Sequence, residues 1–340
     1  MRRFRRPRLG GSRARRRLLI GVSAALVLLV GGVAVSVAVT RDGQQHAYRH
    51  GTITILTGGT LGIYYSYGVA LAAAINHRLD GVDAEALATT ASVDNVRQVS
   101  RSPNVFAFTA ADAASAAVAG RSPFDRPEPI RALARIYDDY MHLVVRADSP
   151  IHGVADLAGH RVSLGSDGSG TELIAERMLG VAGIASSSMT ISRLGINESV
   201  AALEAGDIDA FFWSGGLPTG GITDLAKSLP IRLVPLGALA EPLHSEVDSA
   251  YRPGTIPADT YRLAGQPTAT ATVAVPDLLV TRADTDPGLV EEVTRVMFDA
   301  RGEISREIPV ANSLDRRSAI STFPVPLAAG ALRYYRSTKI

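Results

Sequence analysis

Twice in this chain a β-branched run stops at a glycine-rich, threonine-bearing loop and a helix-like segment begins. The first stretch is TITILTGGTLGIYYSYGVALAAAI, Thr52 to Ile75, and the second is RVSLGSDGSGTELIAERML, Arg161 to Leu179. A helix start leaves backbone N–H groups unpaired and carries a partial positive charge. Glycine lets a ligand approach that backbone closely. Two such ends on successive α/β segments suggest a small acid held between two lobes.

The rest of the pattern supplies the frame for those junctions. Short apolar runs at Thr52–Leu56, Ala84–Ala88, Val105–Thr109, Arg161–Leu164, Met189–Leu194, Ile208–Trp213 and Ile231–Leu236 read as strands. Helical periodicity fills the intervals, with Ser92, Asp112 and Asn197 as expected N-caps. The alternation predicts an α/β fold with mostly parallel sheet covered on both faces. Ligands in open α/β sheets sit beyond the carboxyl ends of the strands, where both Gly/Thr loops lie. Ile130–Ile136 and Met141–Arg146 read as two apolar strands, separated by a solvated turn at Asp138-Asp139. There the chain crosses to a second lobe, and Thr270–Val275 with Leu278–Thr281 brings it back. A final long helix begins near Pro287.

Residues 1–17 hold nine arginines, and no acid occurs before position 41. Leu18 to Val39 follows as 22 uncharged residues, about 33 Å as a helix, which matches a bilayer core. The arginines place the preceding end in the cytoplasm. The segment reads as a transmembrane anchor or as a cleaved signal peptide, with Ser36-Val37-Ala38 offering small residues for cleavage. Either way residues from about 45 onward face outside. Residues 40–50 form a polar linker.

Charge follows the same division. The net +2 conceals 26 basic against 33 acidic residues from position 41 onward, about −7. That argues against a nucleic-acid-binding body. The absence of cysteine removes thiol catalysis, Cys-based zinc sites, disulfides and a lipid-modified cysteine. There is no G-x-S-x-G, no H-E-x-x-H and no Walker lysine, and His142 in MHLVV reads as a packed strand residue. No catalytic residue, metal or cofactor is expected. The stretch FFWSGGLPTGG, Phe211 to Gly221, breaks after the chain's only tryptophan and offers a third ligand wall.

Taken together, TGGTLGIYYSYG (57–68), SVDNVRQV (92–99), VADLAGHRVSLGSDGSGTE within 142–172 and DIDAFFWSGGLPT (207–219) resemble the TAXI family, the substrate-binding proteins of certain tripartite (TRAP) transporters. The resemblance covers about residues 52–336. It implies a two-lobed periplasmic-binding-protein fold, type II-like, with residues 51–138 and 276–340 as lobe 1 and 139–275 as lobe 2. It implies a small carboxylate ligand, an acidic amino acid or a dicarboxylate or oxoacid, and a TRAP-type membrane permease as partner. A sensing receptor of the same fold is the alternative. Carried over by motif, Gly59, Thr60 and Tyr64 with Asn95 would line the first lobe. Ser169, Gly170 and Thr171 would line the second, with Gly216, Pro218 and Thr219. Leu61 stands where the family's loop has glycine, and is expected to narrow the first jaw. Ala110-Ala111 replaces a polar pair, removing a ligand contact. Arg97 and Arg146 are candidate supplements to the site's charge.

Overall fold

The computed structural model describes residues 51–261 and 268–338. The basic tail, the apolar segment 18–39 and the linker 40–50 lie outside the described residues, and with them the expected membrane helix. Among the described residues no helix is long and apolar enough to cross a membrane.

The chain opens with β1 (Gly51–Leu56), α1 (Ile63–Arg78), β2 (Val82–Leu87), α2 (Ser92–Val99), β3 (Val105–Ala110) and α3 (Ala111–Ala119). β1 lies between β2 and β3, parallel to both. α1 buries Tyr64, Tyr67, Leu71 and Ile75 at helical spacing against this sheet. Gly68 is required there, because a Cβ would stand 2.3 Å from the Thr57 side chain.

A long strand β4 (Ile130–Arg146) leads into β5 (Arg161–Ser163), α4 (Gly170–Val181), β6 (Thr190–Ser192), α5 (Ile196–Ala205), β7 (Ala210–Gly215), α6 (Gly220–Ser228), β8 (Ile231–Leu233) and β9 (Arg252–Ile256). A second long strand, β10 (Thr270–Arg282), precedes α7 (Pro287–Asp299), α8 (Arg301–Glu307) and the C-terminal α9 (Ala329–Ser337). Asp286 caps α7 through a bond from Leu289 N, with Pro287 in the first turn as expected. α7 and α9 cover the first half of the sheet, with Phe298 stacked on Tyr334 at 5.3 Å.

The sheet runs β2-β1-β3-β10-β4-β7-β5-β6, with β8 on β4 and β9 on β10. β4 and β10 are antiparallel to each other and each serves both halves. β4 pairs with β10 from Ile130 to Tyr140 and with β7 from Tyr140 onward. β10 pairs with β9 up to Ala274 and with β3 from Asp277. Both strands therefore change neighbours around Asp139 and Pro276.

This corrects two sequence readings. Asp138-Asp139 is no solvated turn: β4 runs straight through it and Asp139 is 4% exposed. The runs 270–275 and 278–281 are likewise one strand with Asp277 inside. Polar residues within an apolar strand read as a break locally, but cover from both faces keeps the strand continuous. The helix caps also shift. Ser92, Asp112 and Asn197 lie inside their helices, which are preceded by Ala91, Ala110 and Gly195. Their polar side chains are engaged elsewhere, as follows.

Candidate functional site

The carboxyl ends of β1, β2, β3, β5, β6 and β7 open onto one cavity of about 420 Å³. Four helices begin at its wall. α1 starts after Gly62, α2 after Ala91 and α5 after Gly195, none with a side-chain cap. Asp94 N, in the first turn of α2, donates to Gly168 O, and the other first-turn N–H groups of these three helices receive no cap from an N-cap side chain. α4 starts after Ser169, whose Oγ accepts from Glu172 N at 3.0 Å. Ala91 is held at φ +80°, a conformation that costs a residue with a Cβ, by a 3.0 Å bond from its N–H to Thr89 Oγ1. Strain of this kind gathers at ligand sites.

The two halves of the sheet touch across the cavity mouth. Asn197 Nδ2 donates to Thr60 Oγ1 at 3.0 Å, and Asp94 N donates to Gly168 O at 3.0 Å. Behind them Arg177 on α4 pairs with the buried Asp112 on α3 at 2.6 Å, where Tyr251 also donates. Arg121 reaches Asp248 at 2.9 Å. These contacts join the two halves beside the cavity.

The floor is made of Tyr64, Tyr137, Asp139 and Ser214. The Tyr64 ring stacks on Phe108 at 5.2 Å and its hydroxyl donates to Asp277. Ser214 Oγ donates to Asp139 at 3.3 Å. Burial, chiefly, pushes Asp139 up to about 7 and raises Asp277 well above the usual carboxylate range, with the Asp139 charge adding to the latter. Among the described lining residues Arg193 alone is cationic, and its Nε donates to Glu172.

Of the residues expected from sequence, Gly59, Thr60, Tyr64, Ser169, Gly170 and Thr171 come together around the cavity. The remaining four stand behind it. Asn95 is fully buried, its amide donating to Thr57 O and Phe108 O at 2.7 and 2.8 Å. It ties the ends of β1 and β3 rather than facing a ligand. Thr219 Oγ1 accepts from Trp213 Nε1 at 3.1 Å and donates to Gly216 O. Gly216 and Thr219 thus buttress Trp213, Pro218 is exposed outside the cavity lining, and the third wall is Trp213, Ser214 and Gly215. Tyr64 faces the cavity, and Tyr65 does not line it.

Leu61 is 41% exposed and leaves the cavity unnarrowed. Ala110 does line it, so a methyl stands at that wall. Arg97 donates to Pro123 O and Arg146 lies 3.9 Å from Asp148; neither lines the cavity. Asp139, Ser92, Asn197 and Arg193 are lining residues the sequence reading passed over. For Asp139 the available signal was an acid between two apolar strand runs. His142 is buried and neutral: Tyr261 donates to its Nε2 at 3.0 Å, and burial lowers it to about 4. Among the described residues no group of three or more His, Cys, Asp or Glu is placed to hold a metal.

Residues 55–338 match the model of the NMT1-like family. The chain belongs to the NMT1-like family. MatC from Rhodopseudomonas palustris, with bound malate, is 14% identical over 84% of this chain and 95% of its own, with a TM-score of 0.51. A structure described as a periplasmic transporter is also 14% identical, over 86% and 94%, at 0.51. The periplasmic aliphatic sulphonate binding protein SsuA from Escherichia coli is 14% identical over 84% and 90%, at 0.42. At that identity the two likenesses at 0.51 establish only the fold of this NMT1-like chain, α/β and periplasmic-binding-protein-like.

Proposed function

We propose that this protein is an extracytoplasmic solute-binding protein that captures a small organic acid, an acidic amino acid or a dicarboxylate or oxoacid, and delivers it to a TRAP-type permease. One observation carries the reading: four helix N-termini, two from each half of the sheet, converge on one cavity. Uncapped N–H groups and helix dipoles favour an anion there. Thr60 and Ser169 add hydroxyls at the two jaws. Closing the cleft removes water and strengthens each of those bonds. The partner exchange of β4 and β10 supports treating 51–138 with 276–340 as one lobe and 139–275 as the other. The TAXI resemblance supports the permease, and MatC, which shares the fold, holds a small dicarboxylate. In this reading the apolar segment 18–39 tethers the protein to the outer face of the membrane, or is cleaved on export.

A thermal-shift screen of the full chain against amino acids, dicarboxylates and oxoacids tests the proposal. A ligand at 100 times its Kd stabilises by about 2.7 kcal/mol, a readily measured shift. Stabilisation by cationic or apolar compounds alone would overturn it.

A further inference from the structure

Two carboxyls meet at the cavity floor, Asp139 lining it and Asp277 buried behind it, where one negative charge is already expensive. Asp139 on β4 and Asp277 on β10 are 4% and 0% exposed. They sit on the two strands that serve both halves of the sheet, at the place where each strand changes neighbours. Ser214 donates to one oxygen of Asp139 and Tyr64 to one oxygen of Asp277. The other oxygens, Asp139 Oδ1 and Asp277 Oδ2, are buried with no partner among the described residues, and the two side chains interact from adjacent strands. Two carboxylate oxygens cannot bond one another unless a proton lies between them.

Among the described residues no cation pairs with either carboxyl, and Arg193, the cationic residue lining the cavity, is held by Glu172. Asp138 and Asp112 add negative charge, and the neighbouring arginines are committed to them: Arg135 and Arg252 to Asp138 at 2.7 and 3.4 Å, Arg177 to Asp112 at 2.6 Å. Tyr64, Tyr67 and Tyr137 close the other side, all buried and held neutral. Tyr261 and His142, from the second half, are neutral as well.

We propose that Asp139 and Asp277 bind a single proton between them, that this makes a proton-binding subsite in the floor of the ligand cavity, and that an anionic ligand is captured together with that proton. The proton supplies the missing partner for both orphaned oxygens and pins β4 to β10 beneath the ligand. The raised titration of both carboxyls agrees with this geometry. A ligand carboxylate above the floor disfavours a second charge below it, so binding draws the proton in. The capture step rests on the anion reading of the cavity; the shared proton does not.

The test uses the full chain. Thermal midpoints are measured from pH 5.5 to 8.5 for the wild type and for Asp277→Asn, which places an N–H where the shared proton stood. The wild-type midpoint should fall relative to the variant as pH rises. Parallel profiles overturn the shared proton, as does a wild-type midpoint raised at pH 8.5 by Na⁺ or Ca²⁺, which would put a cation in its place. If Asp277→Asn fails to fold, Asp139→Asn and a carboxyl ¹³C titration of the wild type give the same readout. For capture, L-glutamate, malate and 2-oxoglutarate are titrated calorimetrically in two buffers of different ionisation enthalpy. At pH above the pair's titration, where the unliganded pair has lost its proton, net uptake approaching one proton is expected, with Kd weakening by about tenfold per pH unit there and no such slope in Asp277→Asn. Proton release, or no exchange in that pH range, overturns capture. If no acid binds at all, the anion reading and capture fail together, while the shared proton is still decided by the midpoints.

Discussion

The hydroxyl of Tyr64 donates to the carboxyl of Asp277, joining the first turn of α1 to the middle of β10 across 213 residues of sequence. Both groups are buried. The Tyr64 ring is fixed by Phe108 on one side and meets Tyr137 edge-on at 6.4 Å. The start of α1, and with it the loop bearing Gly59 and Thr60, is thereby set against a strand that also serves the other half of the sheet.

Tyr64→Phe keeps the ring contacts and removes the donor. It leaves a buried Asp277 oxygen unpaired, which costs about 1–3 kcal/mol. Urea unfolding should show that loss with an unchanged m-value. A change under about 0.5 kcal/mol would mean that the bond contributes nothing to stability.

His142 gives the acid side of the stability profile. Its folded titration is lowered to about 4 by burial, against an ordinary value near 6.5. Between those values the unfolded chain takes up a proton that the folded chain refuses, so stability is lost as pH falls from about 6.5 towards 4. The full effect is roughly 3 kcal/mol. Thermal midpoints of His142→Gln should lack this acid-side slope. The Asp139–Asp277 pair acts with the opposite sign, its contribution being lost as pH rises.

Much of this arrangement was legible locally. The Gly/Thr loops announce strand-to-helix junctions because glycine and hydroxyl residues have few other uses between a β-branched run and an amphipathic one, and both loops line the cavity. Burial in the strand interior was not legible. Asp139 and Asp277 looked like interruptions because a buried acid is recognised only by what packs over it, here Tyr64, Tyr137 and Ser214 from distant segments. The caps misled for a related reason. Ser92 was expected to cap α2, yet its Oγ accepts from Ala110 N at 3.0 Å, and Asn197 reaches across to Thr60. In each case a tertiary partner outcompetes the local one. Asn95 shows the limit of carrying roles over by motif: the residue stands at the matching place, but its amide is consumed by β1 and β3.

The two threonines of the jaws should separate on substitution. Thr60 is exposed, and its hydroxyl accepts from Asn197 Nδ2 at 3.0 Å. Thr60→Val should leave stability within about 0.5 kcal/mol and weaken ligand binding. Thr171 is buried and its Oγ1 accepts from Ser214 N at 3.1 Å. Thr171→Val strands that N–H and should cost about 1–3 kcal/mol in denaturant unfolding, as well as binding. Equal stabilities for the two variants would contradict this division.

Gly170 tests closure itself. It is the first residue of α4 and sits against Ser92 on the facing half, where an added Cβ would lie 2.6 Å from Ser92 Oγ and 3.0 Å from Ser92 Cβ. Contacts that short force one side to move. Ser92 has little room to do so, because its Oγ holds Ala110 N at the cavity wall. The cheaper response is for the two halves to part, which needs no disruption within either. Gly170→Ala should therefore keep a cooperative unfolding transition near the wild-type midpoint. Its radius of gyration by solution scattering should be larger, and ligand binding weaker by about tenfold or more, equivalent to about 1.4 kcal/mol. A variant that scatters like the wild type and binds as tightly would show that the closed contact between Gly170 and Ser92 is not needed to hold the ligand.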